Sequence, residues 1–359
     1  MITPLLLVTL LAAPSVWPQA AAVDSIVRSD AFHGFSGAVI VGQGDRTLYS
    51  KTYAKGGTPG DPATTAYWIA ANSRSFTAAA ILRLEEAGRL RVTDSLPRFF
   101  DEVPADKRHV TIHQLLANAS GLPMANAADG VEDRDEAVHR ILQLPLGTPG
   151  RFINSNDGYV LLAAIIEQAS GQTFDAYLRD SVIARAGLTH TGLWGLEPRG
   201  LAIAPLANPQ HATIGRPGIF GGGHSLPNWG RRGSTGLYST AEDLQRWVQA
   251  LTSGRVLNAA DTQRMLGRQV LVHADSTGEV YSSYGWTVRV AAGRDLSYGF
   301  VGYDDWLGHS SVVRWTPAGE LVIVLSNAGD RSDGPWANGL NRHLREVLDP
   351  PVPAASGPR

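Results

Sequence analysis

The sequence predicts an α+β fold in which an antiparallel sheet contains both ends of the chain and a helical insertion lies between them. Three observations support this prediction. Residues 37–52 contain two β-type runs, residues 76–251 carry helical patterns, and residues 285–326 return to β patterning. Strands that come first and last, with helices between them, are typical of a sheet closed by both chain ends and flanked by helices.

The individual elements follow from local signals. The segment Gly42-Gln43-Gly44-Asp45 separates the first two strands and is typical of a hairpin turn. A helix after Asn156 has a preferred N-cap residue and ends at Ser170-Gly171. Helices are predicted at residues 76–90, 111–117, 157–169, 174–186 and 241–251. Strands are predicted at residues 37–41, 47–52, 285–291, 310–316 and 321–326, with a turn at 317–320.

Composition limits the classes of function. The chain has 359 residues, of which 43% are hydrophobic and 18% charged, with a formal net charge of −2. This is an ordinary globular composition, and the mixed charges form no basic stripe. We therefore expect no nucleic-acid partner and favour a neutral, small-molecule or peptide-like ligand. The sequence contains no cysteine, which excludes disulfides and thiol chemistry.

The chain begins with a segment that resembles an export signal. Residues 5–13 are apolar, and Ala20-Ala21-Ala22 supplies an A-x-A-type cleavage site before Val23. We predict a signal peptide at 1–22, one domain at 23–349 and a disordered Pro-rich tail at 350–359. The expected location is periplasmic or extracellular. No transmembrane segment is predicted in the mature chain, although an uncleaved interfacial anchor is the alternative for residues 1–22.

Several segments, in this order along the chain, resemble the serine β-lactamases, penicillin-binding proteins and related esterases. Residues 111–123 (TIHQLLANASGLP) are similar to the family's T-I-R-H-L-L-T-H-T-S-G-L-P, and residues 149–162 (PGRFINSNDGYVLL) to the segment that carries its Y-x-N motif. Residues 236–244 (GLYSTAEDL) are similar to its G-L-Y-S-T-A-x-D-L. The resemblance covers nearly all of residues 23–349 and implies the β-lactamase/transpeptidase-like fold.

The same resemblance places the catalytic motifs, and here the sequence departs from the family. Residues 69–78 (IAANSRSFTA) stand where the family has I-G-S-x-T-K-x-F-T-A, so Ala71 falls on the nucleophilic serine and Arg74 on the lysine. Alanine has no nucleophilic atom, and arginine keeps its proton at physiological pH. No S-x-x-K exists elsewhere, because the residues three positions before Lys51, Lys55 and Lys107 are not serines.

The other two motifs are also altered. Asn154 replaces the tyrosine of Y-x-N, whereas Asn156 keeps its amide. Counting back from Gly308 places Gly302-Tyr303-Asp304 at the family's K-T-G or H-x-G. The predicted cleft residues are therefore Ala71, Arg74, Asn154, Asn156, Gly302, Tyr303 and Asp304, with no confident catalytic residue. Ser73 and Ser75 have no lysine or histidine at helical spacing, so we interpret them as structural.

The sequence leaves alternatives for this cleft. Arg74 either binds a ligand carboxylate or phosphate, or pairs with Asp304 or another acid. The leading hypothesis is an exported pseudoenzyme that binds a ligand in the cleft. An enzyme with a repurposed cleft, such as an isomerase, cyclase or atypical hydrolase using Arg74, Tyr303 and Asp304, is the second, and a purely structural or partner-binding protein is the third. No motif implies a cofactor or a metal among the ten histidines, and the oligomeric state is open.

Overall fold

The two ends of the chain meet in one antiparallel sheet. The structure is a computed structural model, and it describes residues 17–54, 60–196, 198–205, 219–220, 224–225, 228–304, 308–328, 330–331 and 334–348. Eight strands in the order β2-β1-β8-β7-β6-β5-β4-β3 form the main sheet. They are β1 Gly37–Gln43, β2 Arg46–Tyr53, β3 Val270–Asp275, β4 Gly278–Ser282, β5 Thr287–Ala291, β6 Arg294–Asp304, β7 His309–Trp315 and β8 Glu320–Ser326. The predicted α+β architecture is confirmed.

The pairing of β1 with β8 closes the sheet. Gly37 lies opposite Ser326 and Ala38 opposite Leu325, so a strand near the start of the chain hydrogen-bonds to one near its end. The predicted hairpin joins β1 to β2 through a two-residue turn, in which Gly44 has a φ of +61° that suits glycine. This arrangement leaves the whole helical insertion between β2 and β3.

Each face of the sheet carries its own hydrophobic core because side chains alternate along the strands. In β8, Val322 and Val324 pack against the first and last helices, whereas Leu321, Ile323 and Leu325 face the helical insertion. The helices are α1 Ala20–Val27, α2 Ser73–Glu86, α3 Ile112–Leu116, α4 Arg134–Leu142, α5 Asn156–Ser170, α6 Phe174–Leu178, α7 Ala184–Ala186, α8 Ala241–Thr252, α9 Ala259–Leu266 and α10 Trp336–Leu348.

The helical insertion is built around α5, in which residues 157–166 are all buried. Helix α2 packs against it, and eleven of its 14 residues are buried, namely residues 73–82 and Leu84. A π-helical turn, Arg179–Ile183, joins α6 to α7 in the segment predicted as one helix. A small second sheet contains Gly192–Leu193, Leu237–Ser239, Thr65–Trp68 and Ala202–Ile203.

Several element boundaries differ from the sequence prediction. Helix α5 begins at Asn156, and its N-cap is Ser155, whose hydroxyl accepts a hydrogen bond from the Gly158 N–H. Helix α2 begins at Ser73 rather than at Phe76. The earlier start of α2 places Arg74 on regular helical backbone, and Asn156 is the first residue of α5.

The chain ends form helices that the sequence patterns did not predict. Helix α1 runs across the predicted cleavage point, and Val23 in it is fully buried. The signal peptide remains a prediction, and its first 16 residues lie outside the described part, as does the tail at 350–359. Among the described residues, no helix combines the length and the apolar character needed to cross a membrane.

Candidate functional site

The altered serine motif lies in a short turn that precedes α2. The turn is the three-residue 3-10 helix Ala70–Asn72, and the end of β6 packs against it. Ala70 has a φ of +47°, a left-handed conformation that costs a residue with a Cβ about 1 kcal/mol. Asn72 fixes the turn to the sheet, since its Nδ2 donates to the Ser311 hydroxyl at 2.8 Å. The backbone geometry at the motif is therefore strongly constrained.

Two serines flank Arg74, and the hydroxyls of both serve as structural hydrogen-bonding groups. Ser73 donates to the Ala70 carbonyl at 2.6 Å and accepts from the Leu237 N–H at 3.0 Å. Ser75 donates to the Asn72 carbonyl at 2.9 Å and accepts from the Trp247 indole at 3.1 Å. Both serines are buried, and no described histidine or lysine contacts either hydroxyl. Neither is arranged as a nucleophile with a base.

Arg74 occupies the centre of the site as a buried cation. Its side chain is 1% exposed. Nη1 donates to Oδ1 of Asn154, and Nη2 donates to Oδ1 of Asn156 at 2.6 Å. The guanidinium carbon also lies 5.1 Å from the ring centroid of Tyr159 and 5.7 Å from that of Phe300. The guanidinium is thus held by two amide oxygens and two ring faces.

Burial lowers the pKa of Arg74 to about 10, partly offset by Tyr159, so the group remains protonated at neutral pH. Of the two alternatives for Arg74, pairing with an acid is not seen among the described side chains, which do not include that of Asp304. Within the described part of the chain, no carboxylate lies within ion-pair distance of its guanidinium. A protonated guanidinium cannot remove a proton from an attacking group.

The start of α5 supplies the two amides. Asn154 is exposed, and Asn156 is partly buried and donates through Nδ2 to Oδ1 of Asn126 at 2.8 Å. Next to them, the buried carboxylate of Asp157 accepts from the backbone N–H groups of residues 125, 126 and 127. These contacts hold the 125–127 segment and Asn156 in place beside Arg74.

Tyr159 was not predicted as a site residue, and it provides no proton shuttle. It is fully buried, and its hydroxyl donates to the Leu116 carbonyl at 2.7 Å. Burial is the main cause that raises the pKa of Tyr159 above its ordinary value. Its role in the site is to place a ring face against Arg74. Its position three residues after Asn156, one helical turn along α5, is the sequence signal that could have indicated this contact.

The end of β6 approaches the turn through Gly302. A Cβ added at Gly302 would lie 2.7 Å from the Ile69 carbonyl oxygen and 2.9 Å from the Ala71 nitrogen, so only glycine fits there. Phe300, two residues earlier, faces the same side and contacts Arg74. Strand β6 thus brings Gly302 and Phe300, and through them the sheet, against Ala71 and Arg74.

Tyr303 lies on the opposite face of β6. Alternation places it with Val301, which packs against the cluster formed with α1 and α10, and Tyr303 is 55% exposed. The side chain of Asp304 lies outside the described residues. Tyr303 therefore does not lie beside Phe300 on the face that contacts Arg74, and its predicted use in a repurposed enzyme stays a prediction.

The structure aligns the third motif two residues earlier in the chain than the count from Gly308 placed it. The obligatory glycine at 302 corresponds to the last position of K-T-G, which aligns Phe300-Val301-Gly302 with that motif. Phe300 then stands where the family has its basic residue. Gly308 alone anchored the sequence alignment, and the close approach that requires Gly302 was not visible from it.

Of the predicted residues, the structure brings together Ala71, Arg74, Asn154, Asn156 and Gly302, and it adds Tyr159 and Phe300. Ala71 is partly exposed and presents a methyl group at the motif's first position. No group of three or more histidine, aspartate or glutamate side chains suited to a metal ion occurs among the described residues. The arrangement offers hydrogen-bond donors and a positive charge rather than a nucleophile.

Comparisons with known proteins agree with the fold. The sequence profile of the family described as Beta-lactamase matches residues 23–343. Protein flp of Staphylococcus aureus (strain COL) is 33% identical over 139 residues, covering 36% of this chain but 28% of that protein. The match therefore spans less than a third of the length of this curated relative.

Two solved structures share the fold. The octameric penicillin-binding protein homologue from Pyrococcus abyssi superposes with a TM-score of 0.73 at 22% identity, covering 91% of this chain and 77% of that one. The D-amino acid amidase from Ochrobactrum anthropi SV3, complexed with L-phenylalanine, superposes with a TM-score of 0.72 at 21% identity. The match covers 91% of this chain and 96% of the amidase chain. At these identities the likeness concerns the fold alone.

Proposed function

The chain belongs to the beta-lactamase family, and from that premise we propose that it is an exported, non-hydrolytic member that binds a small-molecule or peptide-like ligand in the cleft. The observation that carries the proposal is the environment of Arg74. A buried, protonated guanidinium fills the position of the family's basic lysine, and a methyl group fills that of its serine. Acyl transfer in this fold needs an attacking oxygen and a group that accepts its proton.

The remaining groups near the turn do not replace the missing ones. The hydroxyls of Ser73 and Ser75 are engaged with the backbone and with Trp247. The tyrosine hydroxyl at 159 is committed to a backbone carbonyl. At the third motif, Phe300 offers a ring in place of a basic side chain. Four substitutions at one centre, in a retained scaffold, favour a site that binds without reacting.

Two further observations support the ligand class and the location. The neighbours with the same fold include a penicillin-binding protein homologue and a D-amino acid amidase, whose names refer to penicillin and to D-amino acids. The apolar segment at 5–13 followed by small residues supports export to the periplasm or the outside of the cell. Fractionation of the natural host followed by immunodetection tests the location, and a purely cytosolic protein would contradict it.

Hydrolysis assays test the absence of chemistry. We expect no turnover of p-nitrophenyl acetate or nitrocefin by the wild type above a heat-denatured sample. A variant that restores the motif groups, Ala71→Ser with Arg74→Lys, Asn154→Tyr and Phe300→Lys, should hydrolyse the ester about 10²-fold faster than the heat-denatured background, because it regains a nucleophile and a base.

The matched control is Ala71→Ser alone. It supplies the hydroxyl but keeps the guanidinium, so it should stay at the wild-type rate. Wild-type turnover that follows the protein through purification would contradict the proposal. If the ester hydrolysis rate of Ala71→Ser rose as much as that of the quadruple variant, Arg74 would not block the chemistry.

A further inference from the structure

A second cavity lies on the other face of the main sheet, away from the cleft. It has a volume of about 220 Å³ and is bounded by strands β4 to β7 and by helix α10. Side chains alternate along β6, so Ser297 and Gly299 face this cavity, whereas Phe300 and Gly302 face the cleft. The cavity is therefore separate from the site of the altered motifs.

The pairing of the strands explains the open space. Gly299 of β6 lies between Thr287 of β5 and Arg314 of β7, which are its partners on either side. Because glycine has no side chain, the centre of this row is empty, and Asn341 and Arg345 of α10 border the space from the helix side. A Cβ at Gly299 would lie 2.6 Å from a backbone carbonyl oxygen of β7, so a larger residue cannot fill the space without a backbone shift.

Three arginines on three different elements line the cavity. Arg289 comes from β5, Arg314 from β7 and Arg345 from α10. The lining residues that the structure describes include no aspartate or glutamate. Like charges that share a small space repel one another. The convergence of three guanidinium groups therefore favours an anion in this cavity.

The neighbours of two of these arginines show how much of the charge is compensated. Arg289 donates through Nη2 to Oγ1 of Thr277 at 2.6 Å. Asp275 beyond it is exposed, and hydrogen bonds from Thr277 are the main cause that lowers the pKa of Asp275, with Arg289 a smaller one. Arg345 has no ion pair with a described residue, and its Nε is buried without an acceptor. Arg345 therefore contributes a charge that no described carboxylate neutralises.

Two neutral polar side chains also indicate a ligand. Asn341 is 7% exposed, and its Oδ1 is buried without a hydrogen-bond partner in the described structure. Ser297, which lies opposite Arg289, is 6% exposed, and its hydroxyl makes no hydrogen bond to a described residue. Buried polar groups are nearly always paired in native proteins. A hydroxyl and an amide, which can rotate to present its NH₂ group, both donate well to an anion.

We propose that this cavity binds a phosphate group, as the free ion or as the monoester of a small molecule. The donors are Arg289, Arg314 and Ser297 on the sheet and Asn341 and Arg345 on the helix. A tetrahedral anion directs its oxygens to different sides, which suits donors on a sheet and on the helix above it. A planar carboxylate is best matched by a single guanidinium fork in its own plane. The volume of about 220 Å³ leaves room for the ion and a small substituent.

Calorimetric titration with inorganic phosphate and with acetate tests the proposal. We expect phosphate to bind at least about tenfold more tightly than acetate, because more than one guanidinium contacts it. Arg345→Gln should weaken phosphate binding by about tenfold or more, since it removes one charge from the cavity. The control is Arg342→Gln, which removes the same charge from an exposed position of the same helix that does not line the cavity. It should bind phosphate within about twofold of the wild type.

Thermal melting gives a second measurement that does not depend on calorimetry. Phosphate should raise the melting temperature of the wild type and of Arg342→Gln, because a ligand stabilises the state that binds it. It should leave that of Arg345→Gln nearly unchanged. In phosphate-free buffer, Arg345→Gln should melt no lower than the wild type, since it relieves the repulsion among the arginines, and this result also shows that the variant is folded.

Glycerol 3-phosphate distinguishes the two sources of the phosphate group. Tighter binding of this monoester than of the free ion assigns the site to a monoester, and the reverse assigns it to the ion. No binding of either, equal affinity for phosphate and acetate, tighter binding of sulfate than of phosphate, or equal losses in the two arginine variants would overturn the inference. None of these results depends on the cleft or on hydrolysis, so the proposed function stands or fails separately.

Discussion

Two cations are buried in the part of the chain that the structure describes, and each stands at a 3-10 turn. Lys107 ends the turn Ala105–Lys107 in the helical insertion, and Arg74 follows the turn Ala70–Asn72 at the cleft. The Lys107 ammonium lies 2.8 Å from the carboxylate of Asp106. The Arg74 guanidinium has amide oxygens and rings around it, and its turn includes the left-handed Ala70.

The comparison shows that this fold compensates a buried charge with a carboxylate where the charge is structural. At the cleft the compensation is incomplete and the backbone is strained. A residue with an uncompensated charge or a strained backbone keeps its conformation only because the surrounding structure holds it in place. Such residues cluster at functional sites. The turn at residues 70–74 therefore has the energetic character of a functional site even without the family's reacting groups.

The largest expected effect comes from deleting the Arg74 side chain. Arg74→Ala leaves a cavity between Tyr159 and Phe300, and we expect a loss of about 3 kcal/mol in the free energy of unfolding. Arg74→Met fills the same slot without the charge and should cost less than about 1.5 kcal/mol. Urea denaturation of the two variants measures both values. Equal losses would mean that the charge itself stabilises the fold, as expected for Lys107.

A smaller effect is expected at Ala70. Replacing it by glycine removes the steric cost of a φ of +47°, partly offset by the greater freedom of glycine in the unfolded chain. Ala70→Gly should therefore raise the free energy of unfolding by about 0.5 kcal/mol. Gly88, already at a positive φ after α2, provides the control, since Gly88→Ala should be destabilising. A destabilised Ala70→Gly would show that the turn is not strained.

The fold could be predicted from the sequence because several signals agreed. The hairpin signature at residues 42–45, the helix end at Ser170-Gly171 and the final turn at residues 317–320 are local features that fix neighbouring elements. The terminal helices were missed for a physical reason. Helix α1 lies in a stretch of small residues that also fits an export signal, and burial against α10 decides its structure.

The site was predicted less completely. Residues aligned by contiguous motifs, Ala71, Arg74, Asn154 and Asn156, come together in the structure. Phe300 and Tyr159 were missed because their contacts with Arg74 are made across the fold and depend on which strand face and helix face point inward. The side of β6 on which Tyr303 lies could not be settled from the sequence, because successive side chains alternate between the two faces of a strand and Gly308 was the only anchor of the motif alignment.

The smallest effect is expected at the paired cation, because Asp106 is half exposed and solvent screens its interaction with Lys107. The hydrogen bond from Lys107 lowers the pKa of Asp106. A carboxyl whose folded pKa is lowered adds stability above its unfolded pKa of about 3.9 and loses it as the pH falls. Asp106→Asn should therefore remove part of the acid-induced loss of stability.

The contrasting variant is Asn154→Ala at the cleft. An amide does not titrate, so its removal should shift the stability of the protein by the same amount at every pH between 3 and 7, a range set by the titration of carboxyl groups near about 4. Denaturation curves at several pH values compare the two variants. A pH-dependent effect in Asn154→Ala would mean that a titrating group, not yet placed, interacts with Arg74.

The most direct test is intact-protein mass spectrometry after incubation with a fluorophosphonate probe and, separately, with benzylpenicillin. Since a methyl group and a protonated guanidinium cannot generate an attacking oxygen, the wild-type mass should stay unchanged. The Ala71→Ser, Arg74→Lys, Asn154→Tyr, Phe300→Lys variant serves as the positive control and should gain one adduct. A stoichiometric adduct on any serine of the wild type would contradict the account.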